Sequence, residues 1–207
     1  MNPNEIEIHP LKPFLPPNAK ILLLGSFPPP HKRWSMEFFY PNLQNDMWRI
    51  LGRVFYNEKE KFVVGKSFDY EAIIAFCNRA GIAIFDTATK VRRLKGNASD
   101  QFLEIVEPTN VRKLLEKLPE CKAIITTGEK ATVQLAETLK VAVPKINDYV
   151  EIVTHLPVKE IGCETRIEVS TCRFYRLPSS SRAYPLAFAK KVEAYRAVLQ
   201  LFFPEIA

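Results

Sequence analysis

The pattern of apolar and polar residues along the chain alternates between short apolar runs and amphipathic segments. The runs "AKILLLG", "IAIFD" and "CKAIITTG" predict buried strands, because each is short and ends in glycine or a polar residue. Helical spacing is found in "DYEAIIAFCNRAG", "NVRKLLEKLP" and "EKATVQLAETL", and Asp46 is placed to cap a helix through Trp48. "YVEIVTHL" and "TRIEVST" alternate as exposed strands do and predict a hairpin, which a strand at "CRFYRLP" and a closing amphipathic helix follow.

Strands that alternate with helices predict an α/β fold with a mainly parallel sheet. The 207 residues show no repeat, low-complexity segment or linker, so we expect one domain over residues 1–207. Ligands of such sheets bind beyond the carboxyl ends of the strands, where "GSFPPP", "DTATK", "TTGEK" and "LPSSSR" would lie. None of these loops has the glycines and lysine of the common nucleotide-binding motifs, which argues against enzymes of those types.

Composition narrows the classes of function. The net charge of +6, from 29 basic and 23 acidic residues, is compatible with a polyanionic partner. No apolar run approaches the roughly 20 residues of a membrane-spanning helix, and the amino terminus lacks the pattern of a signal peptide, so we expect a cytoplasmic protein without a membrane partner. Four cysteines without a C-x-x-C pair predict reduced thiols. Three scattered histidines without an evident carboxylate partner predict no metal site.

Taken in order, these loops resemble the uracil-DNA glycosylase superfamily. "ILLLGSFPPP" is similar to its first motif, a strand that ends in G-x-x-P, and "LPSSSRAYP" resembles its second motif. "FFYPNLQNDMWRILG" and "GIAIFDTATKVRRLKGNASD" are similar to segments of the hypoxanthine-DNA glycosylase branch, also called the deoxyinosine glycosylases. The resemblance covers most of residues 19–135 and 171–201.

The resemblance implies both a fold and an activity. The expected fold is a three-layer α/β/α sandwich around a mainly parallel four-stranded sheet. The expected activity is that of a monofunctional glycosylase, a monomer without metal or cofactor, that hydrolyses the N-glycosidic bond of hypoxanthine or uracil in DNA. The damaged nucleotide must be flipped out of the duplex for this chemistry, at a cost that is lower for mispaired bases.

Asn45 is the candidate catalytic residue. Many superfamily members carry Asp or Asn before the motif proline to handle the attacking water, whereas Phe27 precedes Pro28 here. Asn45 matches the asparagine that, by the same resemblance, the hypoxanthine branch uses instead. An amide carbonyl can hold a water in line with the anomeric carbon, although it is no strong base. The alternative interpretation is that Asn45 is a cap or turn residue before the helix that contains Trp48.

The resemblance also implies a pocket for the flipped base. Phe27, Phe39 and Tyr40 would stack on the base, unless they only pack in the core. Asp86 would accept a hydrogen bond from a ring N–H, which hypoxanthine and uracil both carry, or would cap a turn. The predicted pocket consists of Gly25, Ser26, Phe27, Pro28, Phe39, Tyr40 and Asp86.

The loop of the second motif is the predicted DNA-binding element. Serine hydroxyls can hold phosphates, and an arginine can contact a phosphate or the orphaned partner base. Serine-rich loops are also ordinary solvent-facing turns. The predicted DNA-binding residues are Pro178, Ser179, Ser180, Ser181 and Arg182.

Other functions stay open at this stage. "LPSSSRA" also resembles the second motif of mismatch-specific uracil/thymine glycosylases. Leu177 stands where efficient uracil-specific enzymes have a histidine, and together with Phe27 it leaves open a catalytically weak relative that binds damaged DNA. A third alternative is an unrelated α/β enzyme that acts on a phosphorylated metabolite.

Overall fold

A computed structural model describes residues 5–95, 100–158 and 166–206, and a central five-stranded sheet organises them. The described strands are β1 (Ile6–Ile8), β2 (Ile21–Gly25), β3 (Val63–Val64), β4 (Ser67–Phe68), β5 (Ile82–Asp86), β6 (Ala88–Arg93), β7 (Leu103–Pro108), β8 (Ala123–Thr127), β9 (Tyr149–Val158) and β10 (Arg166–Leu177). The described α-helices are α1 (Met47–Tyr56), α2 (Tyr70–Ala80), α3 (Val111–Leu115), α4 (Glu129–Leu139) and α5 (Phe188–Leu199).

The central sheet has the strand order β5-β2-β8-β10-β9. The first four strands are parallel, and β9 joins β10 antiparallel at the edge. Every residue of β2, β5 and β8 is buried, as expected for parallel strands that are covered on both faces. The predicted fold class, an α/β fold with a central, mainly parallel sheet, is confirmed. The sheet has five strands and not the four that the resemblance implies, because the antiparallel β9 is added at one edge.

Strand register aligns the carboxyl ends of the parallel strands. Gly25 pairs with Asp86 across β2 and β5, and Thr127 pairs with Leu177 across β8 and β10. Each of these residues is the last of its strand. The loops that follow the strands therefore leave the sheet at one edge, as the sequence predicts.

The fifth strand comes from the predicted hairpin. β9 pairs antiparallel with β10 from Tyr149↔Tyr175 to Val158↔Arg166. "TRIEVST" and "CRFYRLP", expected as separate strands, form the single strand β10. The strand is continuous because its carboxyl-terminal part, from Arg173 onward, also pairs with β8 of the central sheet.

Helix α1 begins at Met47, as predicted, but Asp46 does not cap it with its side chain. The Oδ1 atom of Asn45 accepts a hydrogen bond from the Met47 N–H at 2.9 Å instead. The Asp46 carboxylate accepts a hydrogen bond from Arg182 Nε at 2.8 Å, and this ion pair draws the carboxylate away from the helix end. α1 packs against α5, which closes the core as predicted.

A second sheet, of strand order β1-β6-β7, was not predicted from the sequence. β6 follows β5 after a single residue and pairs antiparallel with both of its neighbours. Phe27, Ala88, Val91 and Leu103 form a small separate core against this sheet. The amino-terminal segment is thereby placed directly behind the "GSFPPP" loop.

Two further expectations concern the cysteines and membrane-spanning helices. Cys77, Cys121 and Cys172 are free thiols, as predicted, while Cys163 lies outside the described residues, as does part of the basic tail at residues 96–99. Over the described ranges, no helix is long and apolar enough to cross a membrane.

Replacing Gly81 with alanine tests the junction between α2 and β5. Gly81 has φ +78°, and an added Cβ would lie 2.4 Å from the Asn18 carbonyl oxygen. Gly65 has φ +58° with nothing within 4 Å of an added Cβ, so it serves as the matched control. Gly65→Ala should lower the free energy of unfolding by about 1 kcal/mol through backbone strain. Gly81→Ala should lower it by about 1–3 kcal/mol more, because backbone atoms must move. Equal losses in urea denaturation would contradict the described packing.

Candidate active site

A cavity of about 690 Å³ opens at the edge of the sheet where the parallel strands end. Its walls come from the loops after β2 and β10, from the last residues of β5 and β8, from Asp100 before β7 and from the segment before α1. Ligand-binding cavities in α/β proteins commonly occupy this position. The predicted site residues that line the cavity are Gly25, Ser26, Phe27, Pro28, Tyr40, Asn45, Asp86, Ser179, Ser180, Ser181 and Arg182.

Two predicted site residues lie outside the cavity wall. Phe39 is buried in the main core, where its ring contacts Phe38 and Phe85. Pro178 is buried, and its carbonyl oxygen accepts a hydrogen bond from the Tyr195 hydroxyl at 3.0 Å. Both residues support the loops from behind, so neither stands where it could stack on a base or touch a phosphate.

The position of Asn45 is compatible with both interpretations that the sequence left open. Its Oδ1 atom receives the Met47 N–H, which makes it a turn residue at the start of α1. The same half-buried side chain lines the cavity. A carboxamide oxygen has two lone pairs, so the bond from Met47 fixes the orientation of the amide and leaves one lone pair for a water.

Backbone hydrogen bonds join the Asn45 segment to the serine loop. The Asp46 N–H donates to the Ser180 carbonyl at 2.9 Å, and the Arg182 N–H donates to the Gln44 carbonyl at 3.1 Å. Asn45 and Ser181 thus face each other as in an antiparallel bridge. The ion pair between Arg182 and Asp46 adds a side-chain link across the same junction. The two motifs that the resemblance singled out are therefore one connected unit.

The serine loop is itself held by hydrogen bonds that spare its hydroxyl donors. Ser179 Oγ accepts from the Ser181 N–H, and Ser181 Oγ accepts from the Ala183 N–H, both at 3.2 Å. In each case the O–H stays available as a donor. Ser180 is buried, so it supports the loop from within. Lys191 of α5 donates to the Ser181 carbonyl at 2.6 Å and thereby links the loop to this helix.

Tyr40 forms one aromatic wall in an unusual backbone conformation. Its φ is +49°, in the left-handed region that costs a bulky residue about 1–2 kcal/mol. The Tyr40 hydroxyl lies 3.0 Å from Thr127 Oγ1, and its ring contacts Trp48 edge to face. Enclosure of the hydroxyl raises the pKa of Tyr40 well above its usual value, and the nearby Asp86 carboxylate raises that pKa further. The phenol therefore stays protonated at neutral pH.

Phe27 also lines the cavity. Its ring is buried and belongs to the small core behind the "GSFPPP" loop. The Arg93 guanidinium lies 5.9 Å from the ring centre, and Arg93 also donates to the Pro28 carbonyl at 3.0 Å. The loop that carries Phe27 is therefore held rigidly against the second sheet.

Asp86 and Gly25 fit together closely at the back of the cavity. A Cβ added to Gly25 would lie 2.3 Å from Asp86 Oδ1 and 3.3 Å from the Tyr40 hydroxyl oxygen. Only glycine leaves room for the carboxylate at this position. Asp86 is buried, and His9 Nε2 lies 3.0 Å from its Oδ2 atom.

This pair corrects the expectation that the histidines lack carboxylate partners. His9 is paired with Asp86, and the exposed His31 lies 2.7 Å from Glu37. No local sequence pattern indicates the first pair, because 77 positions separate its residues. Among the described residues, no group of three or more His, Cys, Asp or Glu side chains is arranged to hold a metal ion.

Asp100, to which the sequence assigned no role, lines the cavity. Its Oδ1 atom accepts a hydrogen bond from the Ser26 hydroxyl at 2.8 Å. Desolvation by the cavity walls raises the pKa of this carboxyl, although one face of the side chain stays exposed, and the bond from Ser26 lowers that pKa in part. Thr127 and Arg33 also line the cavity, and only Thr127 had a sequence signal, its place at a strand end.

Leu177 is fully buried as the last residue of β10. It is not among the residues that line the cavity within the described ranges. The side chain at this position therefore packs in the core and leaves the contacts to a ligand to the following serines.

Comparisons with known proteins show a likeness to a solved structure. No protein-family model matches the chain, and no curated protein does. Among solved structures, the chain is similar to the solution NMR structure of "a putative Uracil DNA glycosylase from Methanosarcina acetivorans". The two share 21% sequence identity over 95% of this chain and 99% of that chain, with a TM-score of 0.57. This likeness shows a shared fold.

The raised pKa of Tyr40 makes a prediction for alkaline pH. A phenol whose pKa is higher in the folded state stabilises the fold fully below the unfolded pKa of about 10, and this stabilisation is lost as the pH rises above it. The wild type should therefore lose up to about 1.4 kcal/mol of unfolding free energy per pH unit from this group. Tyr40→Phe should lose less between pH 9 and 11 in urea titrations. An unchanged alkaline loss in the variant would show that Tyr40 is not the source.

Proposed function

We propose that this protein is a monofunctional DNA glycosylase that removes a deaminated base, hypoxanthine or uracil, from DNA in base-excision repair. The observation that carries the proposal is the placement of Asn45, Phe27, Tyr40 and Asp86 around one cavity at the carboxyl edge of the sheet. The fold shared with a protein described as "a putative Uracil DNA glycosylase" supports it.

The size and lining of the cavity suit a flipped nucleobase. Its volume of about 690 Å³ lies within the roughly 300–1,000 Å³ of ligand pockets. Tyr40 offers an aromatic face, and Asp86 offers an acceptor for a ring N–H. Unstacking a base costs a few kcal/mol, and contacts of this kind offset that cost once the base has entered.

The proposed chemistry is hydrolysis with little assistance to the nucleophile. The glycosidic C–N bond breaks, its electron pair leaves with the base, and an oxocarbenium-like sugar forms. Asn45 Oδ1 holds the water that then adds to C1′, and the proton of that water passes to solvent. Positioning of this kind reduces the entropic part of the barrier without a strong base.

Hydroxyl groups are available to stabilise the departing base. The Tyr40 hydroxyl and Thr127 Oγ1 lie 3.0 Å apart on the cavity wall. One of the two hydroxyl hydrogens forms the hydrogen bond between them, so the other can be donated to a ligand. Tyr40 keeps its proton because its pKa is raised. These neutral donors take the place of the histidine that is absent at position 177.

The lining supports water as the nucleophile. Among the described residues that line the cavity there is no lysine whose amine could attack the sugar. Lys191, the buried lysine nearest to the serine loop, already donates to the Ser181 carbonyl. A monofunctional mechanism fits this arrangement.

The test is base release from defined duplexes. Purified protein is incubated with labelled duplexes that contain a single uracil, hypoxanthine or thymine mismatch, and alkali then cleaves abasic sites. The proposal expects cleavage at uracil or hypoxanthine. Cleavage only at thymine mismatches would favour a mismatch-specific enzyme. Binding to damaged DNA without cleavage on any duplex or single strand would contradict the proposed activity.

Asn45→Ala tests the catalytic assignment. The variant should lower the single-turnover rate by about 100-fold or more, because the water is no longer held in line. It should also lose about 1 kcal/mol of stability, because the Met47 N–H loses its acceptor. Asn110→Ala is the matched control, since Asn110 Oδ1 accepts from the Lys113 N–H at the start of α3. The control should show a similar loss of stability at an unchanged rate. Survival of activity in Asn45→Ala would make the assignment wrong.

Arg33→Ala tests contact with the phosphate backbone. Arg33 is exposed and lines the cavity, on the short 3-10 helix that follows the proline loop. The variant should weaken binding to all duplexes equally and lower the slope of log K against log salt by about 1. Arg79 is also exposed but lies at the end of α2, beside the amino end of β5, and Arg79→Ala should keep the wild-type slope. Equal slopes in all three proteins would place the DNA elsewhere.

A further inference from the structure

A histidine from the amino-terminal segment lies behind the cavity. His9 follows β1, and its side chain is only 3% exposed. Its Nε2 atom lies 3.0 Å from Oδ2 of Asp86, whose side chain is 8% exposed. Three aromatic rings surround the imidazole, with centroids 4.6 Å away for Phe85, 5.2 Å for Phe27 and 6.1 Å for Phe39. A polar pair is thus enclosed by apolar side chains, where each partner depends on the other.

The second ring nitrogen of His9 has a partner in either charge state. The Leu11 N–H lies 3.1 Å from Nδ1, and the Leu11 carbonyl oxygen lies 2.9 Å from the same atom. A neutral ring protonated at Nε2 accepts from that N–H, and a charged ring donates to that carbonyl. In both states Nε2–H can donate to Asp86, so the contact with the carboxylate persists when the histidine gains a proton.

The segment that carries His9 is itself firmly held. The His9 N–H donates to the Thr89 carbonyl at 2.9 Å, and β1 pairs with β6. Glu7 of β1 accepts two hydrogen bonds from Arg93, at 2.9 and 3.1 Å, in a fork geometry. The same guanidinium donates to the Pro28 carbonyl of the "GSFPPP" loop. Arg93 of β6 therefore connects the segment that carries His9 to the loop in the cavity wall.

We infer that His9 is a positioning residue of the site, which holds the Asp86 carboxylate as a hydrogen-bond acceptor for the ring N–H of the base. The inference rests on the proposed glycosylase function. With Oδ2 bound to His9, Oδ1 is the oxygen that lies against Gly25 at the cavity wall. An ionised carboxylate only accepts hydrogen bonds, so it selects bases that carry a ring N–H and disfavours bases methylated at that nitrogen.

Loss of the histidine N–H should therefore change selectivity as well as rate. Without it, Oδ2 would be a buried carboxylate oxygen without a donor, and Asp86 would rotate or bind a proton. A protonated carboxyl can donate, and a rotated one no longer faces the base. The preference for an N–H over an N-methyl base then disappears, whereas a purely structural defect would slow both substrates by the same factor.

The experiment compares kcat/KM for two matched duplexes, one with hypoxanthine and one with 1-methylhypoxanthine. If uracil is the faster substrate, uracil and 3-methyluracil replace them. The wild type should prefer the N–H base by about 30-fold, the range expected for a hydrogen bond to a charged group. His9→Phe keeps an aromatic ring of similar size and removes the N–H, and its preference should fall to within about threefold of unity. His9→Gln, which keeps an N–H near the Nε2 position, should restore most of the preference.

His31→Leu is the matched control, because His31 also pairs with a carboxylate, Glu37, but on the surface. Its preference should equal that of the wild type. If His9→Phe keeps the wild-type preference for the N–H base, the inference is overturned and the proposed function stays intact. A wild type that releases no base overturns the proposed function and the inference with it.

A second measurement is independent of whether His9→Phe folds. Nitrogen-15 NMR of the wild-type imidazole should show Nε2 of His9 protonated at every pH between 5 and 9. An unprotonated Nε2 in this range would overturn the inference, because Asp86 would then lack its donor.

Discussion

The backbone hydrogen bonds between residues 44–46 and residues 180–182 are the contact on which the arrangement of the site depends. They join the segment before α1 to the loop after β10, so that Asn45 and the serine loop lie side by side in the cavity wall. Neither segment is regular structure by itself, and each satisfies polar backbone groups of the other. The helix that begins at Met47 and the strand that ends at Leu177 then hold the junction from both sides. Catalysis by positioning, as proposed for Asn45, requires this kind of rigidity, because the attacking water would have to be held in line with the reacting carbon.

Buried charged side chains around the site are hydrogen-bonded to partners from distant segments. Asp46 binds Arg182, Asp86 binds His9, and Arg93 binds Glu7. Such pairs contribute little net stability once desolvation is counted, but removing one partner is costly. Their value here is in orientation, since each carboxylate is held by a donor on another element. The "GSFPPP" loop, the end of β5 and the serine loop are therefore positioned before any ligand arrives, as expected for a preorganised site.

Sequence patterns predicted most of the sheet and much of the cavity wall, for identifiable reasons. β2, β5 and β8 are uninterrupted apolar runs, and their parallel arrangement brings the strand ends together without further information. The sheet of β1, β6 and β7 was missed because β1 has only three residues and two of them are exposed. The sequence predicts that Phe39 and Tyr40 both stack on the base. The positive φ of Tyr40 turns its ring to the cavity, whereas the ring of Phe39 enters the core. Long-range pairing leaves no local pattern either, which is why the partner of Asp86 could not be predicted.

The most direct test of the central claim is a crystal structure of the protein bound to a duplex with 2′-fluoro-deoxyinosine, whose glycosidic bond resists hydrolysis. The account predicts that the base is flipped into the cavity against Tyr40, with its ring N–H toward Asp86 and a water between Asn45 Oδ1 and the anomeric carbon. The serine loop should lie at the flanking phosphates. A base that stays stacked in the duplex, or DNA bound on a surface away from the cavity, would contradict the account.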